Sequence, residues 1–258
     1  MKSTALTKRL TFLLIPILSL CGFNASAESN EDVPQAVLES YLCTYVDGKD
    51  RGDLDAATDF YRKQAAKAGI GTPTAYLWTK FKGSADAQMI WHNVYENLAA
   101  FGSQMDAEAG SAEMAAVGER YDSVVSCTPL LANVMPVHQR EAAVTGENRF
   151  VASYACRTTA APNPADFADL NRHIDGALGA MGNAAPLVTY VVSPITADPT
   201  GPNAVYFNVF ENVSHWAAFE QQLDGSESGQ MLVRHFTSML NCASNLWGSE
   251  QIIAAAAE

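Results

Sequence analysis

The residues of this chain that could carry chemistry are few, and most come in pairs. Four cysteines stand at positions 43, 127, 156 and 242; asparagines stand in matching aromatic runs at 93 and 208; Arg157 directly follows the third of those cysteines. Thiols so far apart suit disulfides in an oxidising compartment, because a metal site would want short Cys-x-x-Cys or His spacings that this sequence lacks. An arginine projected into the fold can hold a carboxylate or phenolate ligand in a forked, charge-assisted contact. It can equally pair with an internal acid, or lie at a strand end with its head in water. Buried amides need partners, so Asn93 and Asn208 mark either a polar feature inside the fold or bonds to a neighbouring strand. Tyr95 stands two residues beyond Asn93 and completes the candidate ligand-binding set. The histidines, at 92, 138, 173, 215 and 235, share no helix face. No phosphate loop, nucleophile elbow or zinc signature occurs. The sequence singles out no catalytic residue, and no metal ligand is expected.

The pairing has a cause, since the chain repeats itself. Ser40-Tyr41-Leu42-Cys43 returns as Ser153-Tyr154-Ala155-Cys156, and His92-Asn93-Val94-Tyr95-Glu96-Asn97 returns as Phe207-Asn208-Val209-Phe210-Glu211-Asn212. Tyr41 and Tyr154, like Pro73 and Pro186, are 113 positions apart, while Asn93 and Asn208, like Cys127 and Cys242, are 115 apart. The second copy is therefore two residues longer in one loop between Pro73 and Asn93. Internal repetition decides the architecture, and it selects Cys43–Cys127 and Cys156–Cys242 among the three pairings that four cysteines allow. The expected organisation is a signal peptide (1–27), a mature N-terminal segment (28–37), repeat 1 (38–129), a linker (130–148), repeat 2 (149–248) and a C-terminal tail (249–258).

The first residues read as an export signal. Lys2, Lys8 and Arg9 precede the apolar run Leu10 to Phe23, and Ala25-Ser26-Ala27 supplies small residues for cleavage after Ala27. That run is too short for a membrane span, and Cys21 would leave with it unless lipidated. Loss of residues 1–27 removes three positive charges and no negative ones, taking the formal net charge from −12 to −15. Such acidity repels phosphate backbones, so no nucleic-acid partner is expected. A soluble periplasmic or secreted protein follows.

Each copy reads strand, helix, strand, strand, helix. In the first copy these are Ser40 to Val46, a helix capped by Asp53 and ended by Gly69, Thr74 to Phe81, Met89 to Tyr95, and a helical region before Cys127. In the second, Asn163-Pro164 opens the helix, Gly182 ends it, and the strands are Leu187 to Val192 and Ala204 to Phe210. Asn97 and Asn212 suit the N-caps of the closing helical regions. A fourth strand is expected near Val134 to Val137. Strand three carries Trp91, Asn93 and Tyr95 on one face and His92 and Val94 on the other, so both faces are covered. Cys43 must face the helices to reach Cys127, which takes Tyr41 and Tyr45 with it. Ser40, Leu42, Thr44 and Val46 then point between the sheets, as do Ser153, Ala155, Arg157 and Thr159. The fold class is α+β, two tandem ferredoxin-like repeats packed sheet to sheet.

The run Val205-Tyr206-Phe207-Asn208-Val209-Phe210-Glu211-Asn212-Val213-Ser214-His215-Trp216-Ala217-Ala218-Phe219-Glu220 resembles the passage from strand three to helix two in dimeric α/β-barrel proteins such as antibiotic-biosynthesis monooxygenases. The resemblance implies a pseudo-dimeric α/β barrel within one chain, which can be monomeric because its repeats supply both halves. It also implies a single-histidine haem site as a minor option, although no cofactor is expected from the residues themselves. Three readings follow: a binding protein holding a small apolar or aromatic molecule between its sheets, a cofactor-independent or haem-using oxidoreductase, and a non-catalytic structural or interaction module whose cavity is filled by side chains.

Overall fold

The first helix begins where Asp50 turns its carboxylate onto the amides of Gly52 and Asp53, at 2.8 and 3.2 Å, while the Asp53 side chain accepts from the Asp50 amide. This reciprocal box is a strong helix start. It moves the N-cap to Asp50 from the expected Asp53, which is the third helical residue. Asn163, Asn97 and Asn212 cap the later helices as expected, and Gly69 ends the first with a left-handed φ of 68°. Chain order is β1 (Ala36–Tyr45), α1 (Arg51–Ala68), β2 (Thr74–Gly83), β3 (Met89–Tyr95), α2 (Leu98–Ala109), α3 (Ala112–Asp122) and β4 (Val125–Gln139). The same order returns as β5 (Asn148–Thr158), α4 (Pro164–Met181), β6 (Val188–Pro194), β7 (Ala204–Phe210), α5 (Val213–Gly225), α6 (Glu227–Met239) and β8 (Leu240–Ile253). The structure is a computed structural model that describes residues 36–140, 148–159, 163–196 and 201–254. The expected signal peptide, Cys21 and the cleavage position lie outside them.

All eight strands pair antiparallel into one closed barrel, in the order β1-β3-β2-β8-β5-β7-β6-β4. Within it β4-β1-β3-β2 and β8-β5-β7-β6 have the same internal order, and β2–β8 and β4–β6 close the ring. Closure leaves no unpaired sheet edge. Thr74 pairs with Val94 and Val188 with Val209. Those partners lie 114 and 115 positions apart, so the two extra residues of the second half are divided, one before β6 and one between β6 and β7, rather than placed in a single loop.

Two expectations need correction. Each closing helical region is two helices, split at Gly110-Ser111 and at Ser226, where the serines cap α3 and α6. The fourth strand starts at Val125, directly after the helix, and runs through residues expected as linker; β8 likewise runs to Ile253. Pro129 and Pro136 hide β4 from a sequence reading, because proline cannot donate to a ladder. Cys127 therefore sits on β4 directly opposite Cys43, and Cys242 on β8 opposite Cys156. Both disulfides are present. The cysteines do face the helices, but they reach each other across adjacent strands.

Candidate functional site

Alternation along each strand divides the residues between two environments. One is the barrel lumen, and side chains fill it. Leu38, Trp78, Ala132, Val151, Phe207 and Trp247 are all buried in one cluster there, and the Trp247 indole donates to Ser153 Oγ at 2.9 Å. A ligand lying between the sheets, as expected from sequence, would compete with these side chains. The cavities lie instead on the opposite face of the sheet, beneath the helices, one in each half.

The first cavity, of about 440 Å³, is bounded by β1, β3 and helices α1–α3. At its wall Glu39 and Asn93 are direct partners across β1 and β3. Glu39 is only 8 % exposed. Its Oε1 accepts the Tyr41 hydroxyl at 2.6 Å, and its Oε2 accepts the Asn93 amide at 2.9 Å and the Tyr95 hydroxyl at 3.1 Å. The Trp91 indole in turn donates to Asn93 Oδ1 at 2.7 Å. Three neutral donors thus hold one buried carboxylate without a cation, and the β1/β3 register brings all of them together. Burial, with the Glu39 charge second, pushes the Tyr41 and Tyr95 phenols far above their ordinary range, so both remain donors. Glu108 of α2 faces the same space. Burial pushes its carboxyl up, the Gln104 amide at 2.6 Å opposes that, and the Glu39 charge raises it further. Tyr61 and Tyr121 complete the aromatic wall, the latter pushed up to about 12 by burial.

The second cavity, of about 760 Å³, is more apolar. Ala152 stands opposite Asn208, where the first half has Glu39 opposite Asn93. Asn208 accepts the Thr189 hydroxyl at 2.8 Å, and burial pushes the Tyr154 phenol well above its ordinary range. The carboxylate here comes from a helix: Glu220 of α5 accepts the Trp216 indole at 2.9 Å, and burial raises its pKa.

The expected site residues therefore separate. Asn93 and Tyr95 belong to the first cavity and Asn208 to the second, all three beneath helices rather than inside the barrel. Arg157 is exposed at the end of β5, opposite Asn241, and lines neither cavity; its position is the strand-end alternative. The sequence reading missed Glu39 and Glu108. A signal for Glu39 existed: it is a carboxylate in phase with Tyr41 and Cys43 on the helix-facing side of β1, and its counterpart in the second copy is Ala152.

A histidine-ligated haem does not fit these linings. Neither cavity wall carries a histidine or a free thiol for the iron, and neither carries an arginine or lysine for the propionates. The five histidines lie elsewhere: His92 in the lumen, His138 with its Nδ1 on Asp175, His173 stacked on His235, and His215 on the Ala185 carbonyl, with Nε2 of His92, His138 and His235 buried and unpartnered among the described residues. No cluster of His, Cys, Asp or Glu suited to a metal ion occurs among the described residues.

A closed antiparallel barrel with helices over its outer face is the dimeric α/β-barrel fold, of ferredoxin-like type. The chain is similar to the solved structure of a candidate monooxygenase from Fusobacterium nucleatum subsp. nucleatum, with 10 % identity over 87 % of this chain and 98 % of that one, at a TM-score of 0.51. It is also similar to an anthrone oxidase-like protein, with 9 % identity over 88 % and 95 % of the two chains and a TM-score of 0.54. A candidate chlorite dismutase shares 8 % identity over 85 % and 95 %, with a TM-score of 0.50. At such identities the likeness is one of fold. No family model and no curated protein sequence matches the chain.

Proposed function

We propose that this chain binds a small aromatic or apolar molecule, and that its site is the first-half cavity beneath α1–α3. The observation that carries this reading is Glu39: a buried carboxylate built into a cavity wall by Tyr41, Asn93 and Tyr95, beside a space of about 440 Å³. Cavities of this size, apolar with a few convergent polar groups, are the usual form of a ligand site. The chain is further proposed to be a tandem duplication of one ferredoxin-like unit, supported by the matching strand order and the matching disulfides. Export, with residues 1–27 removed, is supported by the same disulfides. No helix among the described residues is long and apolar enough to cross a membrane.

Gly118 of α3 provides the test. It lines the cavity, and a Cβ there would meet nothing within 4 Å. Gly118→Leu is therefore expected to place a side chain at the cavity mouth with room for its Cβ, and to remove a glycine from a helix interior, which gains about 0.5–1 kcal/mol. Native mass spectrometry of the protein purified from its own source should show a co-purifying small molecule that the variant has lost. A variant that folds and still carries the same molecule would reject this site.

A second reading is oxidation of the bound aromatic molecule by dioxygen without a cofactor. Glu108 favours it, since a carboxyl raised by burial is a stronger proton acceptor for a ligand than one in water. The fold likeness to an anthrone oxidase-like protein points the same way.

A further inference from the structure

We infer that the first-half cavity is built for an organic cation, a protonated amine on an aromatic or apolar body. The inference rests on the reading of this cavity as a ligand site and names the chemistry of its ligand. Among the described residues three carboxylates line the space, Glu39, Glu108 and Asp122, and no lysine, arginine or histidine does. Arg62, whose charge reaches Tyr121, has its guanidinium turned to Asp59 and to the Ile252 carbonyl. Lys67, on the same helix as Arg62, pairs with Glu113.

A carboxylate removed from water without a cation keeps an unmet electrostatic demand, even when neutral donors occupy its lone pairs. Glu39 uses three acceptor sites of the roughly four a carboxylate has, which leaves room for one further donor from the cavity. The walls add a second, independent preference. Tyr41, Tyr61 and Tyr121 line the space, and Trp91 meets Tyr121 edge to face at 5.5 Å. Aromatic walls attract cations through the ring quadrupole. They are also unsuited to a bare metal ion, for which no ligand cluster exists among the described residues. The second cavity carries less of this charge, with Glu220 its one carboxylate among the described residues. Its Ala152 replaces Glu39, Leu223 takes the helix position of Glu108, and Ile174 takes that of Tyr61.

Isothermal titration of the disulfide-bonded chain with 4-phenylbutylamine, 4-phenylbutanol and 4-phenylbutyrate separates charge from apolar fit, because the three probes share one body. The amine is expected to bind at least about tenfold more tightly than the alcohol, a ratio that one hydrogen bond to a charged group supplies. The carboxylic acid should bind most weakly. Glu39→Gln should remove that preference, since the amide keeps the shape of the carboxylate and loses its charge. Should Glu39→Gln misfold, Glu108→Gln serves in its place and is expected to narrow the same ratio. If the alcohol binds at the cavity as tightly as the amine, the cation inference falls and the ligand site stands. If none of the three probes binds, both fall. A preference for the amine that survives both substitutions also overturns the inference.

Discussion

Replacing Cys156 and Cys242 together by alanine is expected to lower the stability of the chain by about 4.5 kcal/mol, the loop-closure value for a bridge spanning this much sequence. The bridge joins residues 86 positions apart, and that loop contains all of α4–α6 and strands β6 and β7. Without it, the unfolded chain regains the freedom of the entire second half. The native contribution should be small by comparison. Cys156 and Cys242 are already ladder partners in the β5–β8 pairing, which holds them together with or without the bond. The same reasoning applies to Cys43 and Cys127, 84 positions apart on β1 and β4. Denaturant unfolding of the double variant checks this through its midpoint. A loss below about 1 kcal/mol would mean that the reduced unfolded state is already compact, contrary to the chain-entropy account.

The disulfides also show how far the sequence could be read. Duplication of the cysteines was enough to pair them, and the phase of β1 was enough to place Tyr41 with Cys43 beneath the helices and Ser40 on the other face. What could not be read was why they meet. Two prolines interrupt β4, so Cys127 looked like the end of a helix rather than the start of a long strand. The same gap hid the site. Asn93, Tyr95 and Asn208 are legible as polar or aromatic residues on a covered strand, but which side of that strand holds a cavity is not. Whether a lumen is empty depends on the volumes of side chains arriving from eight strands, and Trp78 and Trp247 fill it from positions far apart in sequence. Glu108 was illegible for a related reason. Its burial depends on how α2 lies across β1 and β3, which helical periodicity alone does not report.

Divergence between the halves has a consistent direction. The first cavity carries its carboxylates on β1, α2 and α3 and has Tyr41, Tyr61, Tyr95 and Tyr121 in its wall, while the second carries one on α5 and sets Tyr154 and Tyr206 among leucine, isoleucine and phenylalanine. The backbone and disulfides are held in common, so the two cavities differ in chemistry rather than in construction. Arg157, set against Thr44 in the other copy, lies on the exposed end of its strand. The informative contrast is Glu39 against Ala152.

The lumen carries a contrast of its own, and it predicts a marked pH dependence. His92 occupies the place that Phe207 takes in the second half; it is 3 % exposed, and its Nδ1 lies 2.8 Å from Ser40 Oγ. Its Nε2 meets no protein partner among the described residues, and Trp78 packs against the ring at 4.3 Å. Burial lowers its pKa from 6.5 to about 3. A depressed histidine pKa means that the folded chain resists a proton which the unfolded chain accepts. The stabilisation that His92 supplies is therefore whole above about pH 6.5. It declines by about 1.4 kcal/mol for each pH unit between there and about pH 3. Carboxylates elsewhere add their own acid dependence, so the comparison must be between variants. The double replacement Ser40→Ala, His92→Phe removes the titrating group and its hydroxyl partner, and it repeats in β3 the aromatic ring that β7 already places in this lumen. Near pH 7.5 the variant should be at least as stable as the original chain, since it removes both partners of the buried hydrogen bond together with the unpartnered ring nitrogen. As the pH is lowered towards 4, the original chain should lose stability faster, and the two curves should separate by several kcal/mol, the integral of that slope. Denaturant midpoints measured at half-unit pH steps decide it. Parallel curves across that range would mean that the His92 ring gains a proton in the folded lumen as readily as it does in water.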